Sequence, residues 1–311
     1  MNASKKRVIG LVGPTASGKT ALSLEVAQRL GGEILCMDSM QIYRRMDIGT
    51  AKPTPAEQAL VPHHLLDLIE PTDTFSVTQY AERARNVIDQ VSVPILVGGT
   101  GLYLQALSLP MDFGTVPGDE ALRSQYHALA REKGNEAVHA LLQAQDPVSA
   151  ARLHPNDLRR VIRALEVVVL TGKPLSAQQM PGPEDSPYDF RLYAIAWPRD
   201  VLYDRVNRRV IQMIRDGLTE EVKGLLHSGV SPDAQSMQGL GYKELVPVIA
   251  GKMPLPEAAA QIQLRTRHFA KRQLTWFQRD ERIHWIDASH GLSIADAADM
   301  ICKNDLSEEE T

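Results

Sequence analysis

The run Gly13-Pro14-Thr15-Ala16-Ser17-Gly18-Lys19-Thr20 matches the phosphate loop G-x-x-x-x-G-K-[ST] in full, between an apolar stretch, 7–12, and a stretch of helical spacing, Lys19–Leu30. This setting constrains the fold more than any other feature. Such a loop works only where a strand delivers it to a helix N-terminus, so that backbone N–H groups and the helix end converge on one anion. Lys19 adds a point charge, and the Thr20 hydroxyl can reach a Mg²⁺ ion that bridges phosphate oxygens. The expected fold class is α/β: a P-loop kinase-like parallel sheet with helices on both faces.

The following residues extend that pattern. Glu33–Met37 ("EILCM") reads as a buried strand stopping at Asp38, 64–69 ("HLLDLI") as a further short strand, and 77–91 as an amphipathic helix. Residues 93–101 ("VPILVGGTG") read as a strand ending in a glycine turn. Strands alternating with helices indicate a parallel sheet, whose ligands gather at the carboxyl ends of the strands. Here those ends carry the phosphate loop, Asp38 and Gly98-Gly99-Thr100-Gly101. The pattern then becomes helical: Glu120–Lys133, 136–145 and 157–171, the last with Asn156 as expected N-cap and Gly172 just past its end. Residues 191–197 and 282–287 resume the strands, with helices at 200–215, 219–227, 242–250 and 257–279 between them. The expected division is 1–110 and 188–290 as two parts of one core, 111–187 as a helical insertion, and 291–311 as a C-terminal helix with an acidic tail.

With 311 residues, 43% of them hydrophobic, the chain can bury one large core or two modest ones. A formal net charge of −4 gives no global attraction to nucleic acid, so any basic surface must be local. The two cysteines, Cys36 and Cys302, lie far apart without metal-site spacing, which argues against a disulfide framework or zinc site and for a reducing cytoplasm. No stretch approaches the ~20 apolar residues of a membrane span. A cytoplasmic monomer without membrane or obligate protein partner is expected.

An enzyme that splits nucleoside triphosphates is expected to place an Asp on Mg²⁺ from the end of a neighbouring strand. "PILVGG" ends in glycine. The nearest carboxylate is Asp38, which could hold the metal's water shell, serve as a base, or simply cap a turn. Gly98 to Gly101 would let backbone approach a ligand closely, with the Thr100 hydroxyl beside it; a plain strand-to-helix turn would look the same. Arginines cluster at Arg159, Arg160 and Arg163, at Arg205, Arg208 and Arg209, and within "RTRHFAKRQLTWFQR". A basic helix with embedded aromatics can track a phosphate backbone and stack a base. Trp276 and Phe277 are nevertheless expected to face the core.

Taken together, "GPTASGKT", "DSMQIYRRMDIGTAKP", "PHHLLD", "ILVGGTGLY", "NDLRRVIRALEV", "QGLGYKE" and "KRQLTWF" resemble the bacterial tRNA dimethylallyltransferases. These isopentenyl transferases act on adenosine 37 beside the anticodon. The resemblance runs from about residue 8 to 287. It implies that Gly13 to Thr20 grip the diphosphate of dimethylallyl diphosphate, with Mg²⁺ near Thr20 and, through water, Asp38. Asp38 would take the proton from the adenine N6 amine, Arg209 would stabilise the leaving pyrophosphate, and Thr100 would hold the reacting groups.

The same resemblance assigns Ser39, Met40 and Gln41, with Asp38 and Thr100, to the target base. It assigns Arg123 and the run Arg159, Arg160, Val161, Ile162 and Arg163 to the tRNA anticodon stem-loop. Gln238, Gly241, Tyr242, Lys243 and Glu244 join them, as do Lys271, Arg272, Thr275, Trp276 and Gln278. The family commonly has arginine where this chain has Gln278. Three other readings compete: a small-molecule kinase with a helical lid, an RNA-binding NTPase switch, and a transferase acting on free AMP or ADP.

Overall fold

The computed structural model describes residues 5–109, 118–177 and 182–306. The strands are β1 (Lys6–Val12), β2 (Glu33–Met37), β3 (His63–His64), β4 (Pro94–Gly98), β5 (Tyr188–Ala196) and β6 (Ile283–Asp287). They form one six-stranded sheet in the order β3-β2-β4-β1-β5-β6, and every pairing is parallel. A parallel sheet covered on both faces wants unbroken apolar strands. β1 obeys this, with Val8, Ile9, Leu11 and Val12 all buried.

The helix Lys19–Leu30 starts at Gly18 and stops at Gly31, whose left-handed backbone returns its N–H to the Ala27 carbonyl. Its apolar face, Leu22, Val26 and Ala27, packs in one core with Ile9, Leu11, Ile34 and Ile95 of the sheet and Ala297, Ala298 and Ile301 of the helix Ile294–Leu306. The phosphate loop is thereby held at the centre of the sheet's carboxyl edge.

The chain separates into two compact units, one of 1–108 and 186–311, the other Leu109–Asp185. The smaller unit is helical, with Glu120–Lys133, Asn135–Gln145, Pro147–Arg152 and Leu158–Thr171. Its core is built on Val138, Leu142, Val161, Ile162 and Leu165. Beside that core the fully buried Glu166 binds Arg123 and Arg163.

Two local expectations change. The 64–69 strand shrinks to His63–His64 and a single bridge at Ile69, because Leu65 and Asp67 take left-handed φ of 66° and 52°. The Leu158–Thr171 helix is preceded by Asp157 rather than Asn156 as N-cap, while Gly172 ends it as expected. Strand β4 ends at Gly98 and the expected glycine turn leads through Gly99 and Thr100 into the helix Gly101–Ser108. The last residues of the acidic tail, 307–311, lie outside the described residues.

Candidate active site

At the carboxyl edge of the sheet the phosphate loop is shaped by Gly13 and Gly18, at φ 124° and 103°, and by Ala16 at 63°. Its outward carbonyls are pinned. Arg205 Nε donates to the Ala16 carbonyl at 2.8 Å, and Trp197 Nε1 donates to that of Ser17 at 2.8 Å. The Arg205 guanidinium also lies 4.6 Å above the Trp197 ring. With these carbonyls turned away, the amides that open the helix at Lys19 have no intrahelical acceptor and remain available to an anion. Lys19 Nζ donates to the Pro14 carbonyl at 2.6 Å.

Asp38 follows β2 directly. Its Oδ1 accepts from the amides of Met40 at 2.8 Å and Gln41 at 3.4 Å. Among the described residues no protein donor meets Oδ2. Asp38 therefore caps a turn and still presents a carboxylate oxygen. Thr100 braces the turn: its Oγ1 accepts from the Ser39 amide at 3.2 Å, and its N–H donates to the Met37 carbonyl at 3.3 Å. β4 can approach this closely only because residue 98 is glycine, since a Cβ there would collide with the Met37 carbonyl.

The loop residues Thr15 to Thr20, Asp38 and Arg209 line one cleft of about 660 Å³. Burial, and then the neighbouring Arg209 guanidinium, bring the Lys19 ammonium down to a pKa of about 7, with Asp38 opposing them more weakly. Burial lowers Arg209 too, Asp38 pulling the other way and Arg205 adding repulsion. Crowded, poorly solvated cations around amides that lack acceptors make an anion site. The donors also suit Mg²⁺. Among the described residues no group of three or more His, Cys, Asp or Glu could hold a metal, but Mg²⁺ needs only one or two protein oxygens beside substrate phosphates and water. Thr20 and Asp38 both line the cleft.

The residues assigned to tRNA divide by exposure. Arg159, Arg160, Gln238, Lys271, Arg272, Thr275 and Gln278 are exposed, and Lys243 is half-buried. Trp276 is 38% exposed, contrary to the expectation that it faces the core, whereas Phe277 is fully buried. Several others are corrected. Val161 and Ile162 lie on the inner stripe of their helix, in the core of the smaller unit, and their side chains cannot meet RNA. Tyr242 is buried with its hydroxyl donating to Glu221 Oε1 at 2.6 Å. Glu244 is buried, accepting from the Gly241 amide and from Arg265 Nη1, each at 2.8 Å. Arg123 and Arg163 pair with Glu166 yet keep part of each guanidinium-bearing side chain exposed. Gln41 spends both amide hydrogens on the carbonyls of Thr50 and Ala51, at 3.1 Å each, and so braces that segment while lining the cleft.

One residue of the site was not anticipated. Gln273, on the helix Leu255–Phe277, accepts from the Thr15 amide and donates to the Gly99 carbonyl, both at 2.9 Å. It ties the phosphate loop to the glycine turn. The signal was its spacing: Ala270, Gln273 and Phe277 share the buried stripe of one helix, and an amide on such a stripe must find partners.

The IPP transferase family model matches residues 41–280, and the Isopentenyl transferase model matches residues 6–67. The chain is 47% identical over 288 residues to the tRNA dimethylallyltransferase of Carboxydothermus hydrogenoformans, covering 91% of this chain and 92% of the relative. It is 48% identical over 286 residues to that of Geobacillus thermodenitrificans, covering 91% and 90%. Among solved structures, the tRNA isopentenylpyrophosphate transferase of Bacillus halodurans superposes with a TM-score of 0.72 at 41% identity, over 98% of this chain and 99% of that one. A eukaryotic dimethylallyltransferase acting on tRNA gives a TM-score of 0.82 at 27% identity, over 98% of this chain and 80% of that one.

Proposed function

The chain belongs to the IPP transferase family, and from that premise we infer that it transfers the dimethylallyl group of dimethylallyl diphosphate to N6 of adenosine 37 in tRNA. The observation that carries this reading is the pairing, in one cleft, of a cationic diphosphate cradle with a carboxylate oxygen that meets no protein donor among the described residues. A kinase is disfavoured by the end of β4, which offers glycine where a metal-holding carboxylate is expected.

The steps follow from what each group can do. Loop amides, Lys19 and Arg209 hold the diphosphate and stabilise charge that gathers on it as the C1–O bond breaks. The adenine leaves its stack to enter the cleft. Its N6 forms the new bond to C1, the N6 proton passes to Asp38 Oδ2, and pyrophosphate departs whole. An adenine amine is a weak nucleophile, because its lone pair is delocalised into the ring. Orientation and proton removal at Asp38 therefore carry much of the acceleration. Mg²⁺ held by Thr20, the diphosphate and water would neutralise part of the phosphate charge. The exposed Arg159, Arg160, Lys271 and Arg272 supply local positive charge for the anticodon stem-loop, and the exposed Trp276 offers a ring for stacking. We place the enzyme in the cytoplasm with its tRNA substrate, acting as a monomer. Among the described residues no helix is long and apolar enough to cross a membrane.

The deciding experiment offers labelled dimethylallyl diphosphate and labelled ATP separately, each with an anticodon stem-loop. Label is expected in RNA from the prenyl donor alone. Label from ATP would establish the kinase reading instead.

A further inference from the structure

The segment leaving Asp38, residues 41–53, contains no helix or ladder strand, yet its last four residues, Thr50, Ala51, Lys52 and Pro53, line the cleft. It also holds Arg45 and Ala51 at φ 63° and 50°, a left-handed backbone that side chains disfavour. Such a segment needs fastening from outside.

Its own side chains brace it in part. Gln41 is sewn to the carbonyls of Thr50 and Ala51. The buried Lys52 ammonium donates to the Tyr43 carbonyl at 2.9 Å and to Asp47 Oδ1 and Asp67 Oδ1 at 2.6 Å each. From outside, backbone bonds of Gln41, Ile42 and Arg44 with Asp67, Leu68 and Ile69 hold the start of the segment, and Asp47 to Gly49 are held by Glu221, from the helix Leu218–His227. Its Oε2 accepts from the amides of Asp47 at 2.9 Å and Ile48 at 2.8 Å, and its Oε1 from the amide of Gly49 at 3.1 Å and the Tyr242 hydroxyl at 2.6 Å. Four donors on one carboxylate make a strong, directional anchor. Gly49 completes the fit, because a Cβ there would come within 2.5 Å of the Tyr242 ring.

We propose that Glu221 is a positioning residue for prenyl transfer. By gripping Asp47 to Gly49 it immobilises the 50–53 wall to which Gln41 is tied, and so holds the Asp38 turn at its attack geometry without touching substrate. This deepens the transfer reading and rests on it. The diphosphate cradle has separate supports, Gln273, Trp197 and Arg205. Loosening the wall should therefore slow the reaction while leaving donor binding in place.

The test uses full-length Glu221→Gln, Glu221→Ala and Tyr242→Phe. Competent sites are counted calorimetrically by dimethylallyl diphosphate binding, and turnover is measured on an anticodon stem-loop. A displacement of a reacting group by ~1 Å can cost about a hundredfold. The expected result is kcat per competent site down roughly tenfold or more in both Glu221 variants and about threefold in Tyr242→Phe, with donor Kd within about twofold of wild type. A role in stability alone would lower Tm and the number of competent sites but leave kcat per site unchanged, and that result overturns the proposal. A donor Kd weakened in parallel overturns it as well, since the cradle would then have moved. If Glu221→Ala fails to fold, the Gln and Phe variants decide. Wild-type protein that transfers nothing would remove the transfer reading itself, and Glu221's role with it.

Discussion

Lys19 should take up a proton when the donor binds. In the free protein its ammonium has a pKa of about 7, lowered by burial and by Arg209. At pH 8 such a group is only ~10% protonated. A diphosphate seated in the loop places opposite charge beside Lys19 and offsets the desolvation, raising its pKa back toward the ordinary lysine range of ~10.4. Binding at pH 8 should therefore absorb ~0.9 proton, against ~0.5 at pH 7. Because protonated Lys19 is the binding form, affinity should weaken by up to tenfold per unit as pH rises above 7. The assay is calorimetric titration without RNA at pH 8, in two buffers of different ionisation enthalpy. Lys19→Arg keeps its charge throughout and should abolish the uptake. Uptake below ~0.2 proton in the wild type would refute the picture of a deprotonated lysine waiting for its anion.

Further outcomes follow from the same geometry. Asp38→Asn keeps an acceptor for the Met40 and Gln41 amides but removes the base; kcat should fall at least about a hundredfold with stem-loop Kd nearly unchanged, and wild-type turnover would exclude the base role. Arg159→Glu with Arg160→Glu should weaken stem-loop binding about tenfold or more and flatten its dependence on log salt by about one to two, measured by filter binding; unchanged affinity at low salt would take this helix out of the interface. Arg163 is unsuitable for that test, because Arg163→Glu would set a like charge on the fully buried Glu166. Gly99→Ala would drive a methyl into the Gln273 amide; donor Kd should rise about tenfold by calorimetry as the two Gln273 hydrogen bonds are lost, and an unchanged Kd would show that Gln273 does not shape the cradle.

What could be read from the chain beforehand was local. The phosphate loop, β2 and the helix Lys19–Leu30 each declare themselves within a few residues, because hydrophobic period and glycine punctuation are short-range signals. Asp38 was legible for the same reason: it ends an apolar strand at the ligand edge. The supports were not. Gln273 meets Thr15 across 258 residues, and Glu221 meets Asp47 across 174. A single sequence carries no register for such pairs. Motif resemblance also failed to separate the faces of an element. Val161 and Ile162 fall within the same run as Arg159 and Arg160, yet the helical period turns the first two inward and the last two out. Tyr242 and Glu244 belong to a resembled motif too, but their side chains are struts.

The charge arrangement explains why a phosphate loop suits a reaction that transfers no phosphoryl group. When a P–O bond is broken, the charge to be stabilised is spread over the travelling phosphoryl group and the leaving oxygen. When the bond broken is C1–O, all negative charge accumulates on one departing group, and the cations belong together. Lys19, Arg205 and Arg209 lie together about the loop, with Asp38 as the anion acting on both Lys19 and Arg209. In the free protein Asp38 favours the charged forms of Arg209 and, more weakly than burial and Arg209 oppose it, of Lys19. On the transfer reading proposed above, a bound diphosphate would pair with these cations, leaving Asp38 in the same cleft to receive the proton from N6. On that reading the groups that would bind the donor and the group that would activate the acceptor are coupled by their charges within one cleft.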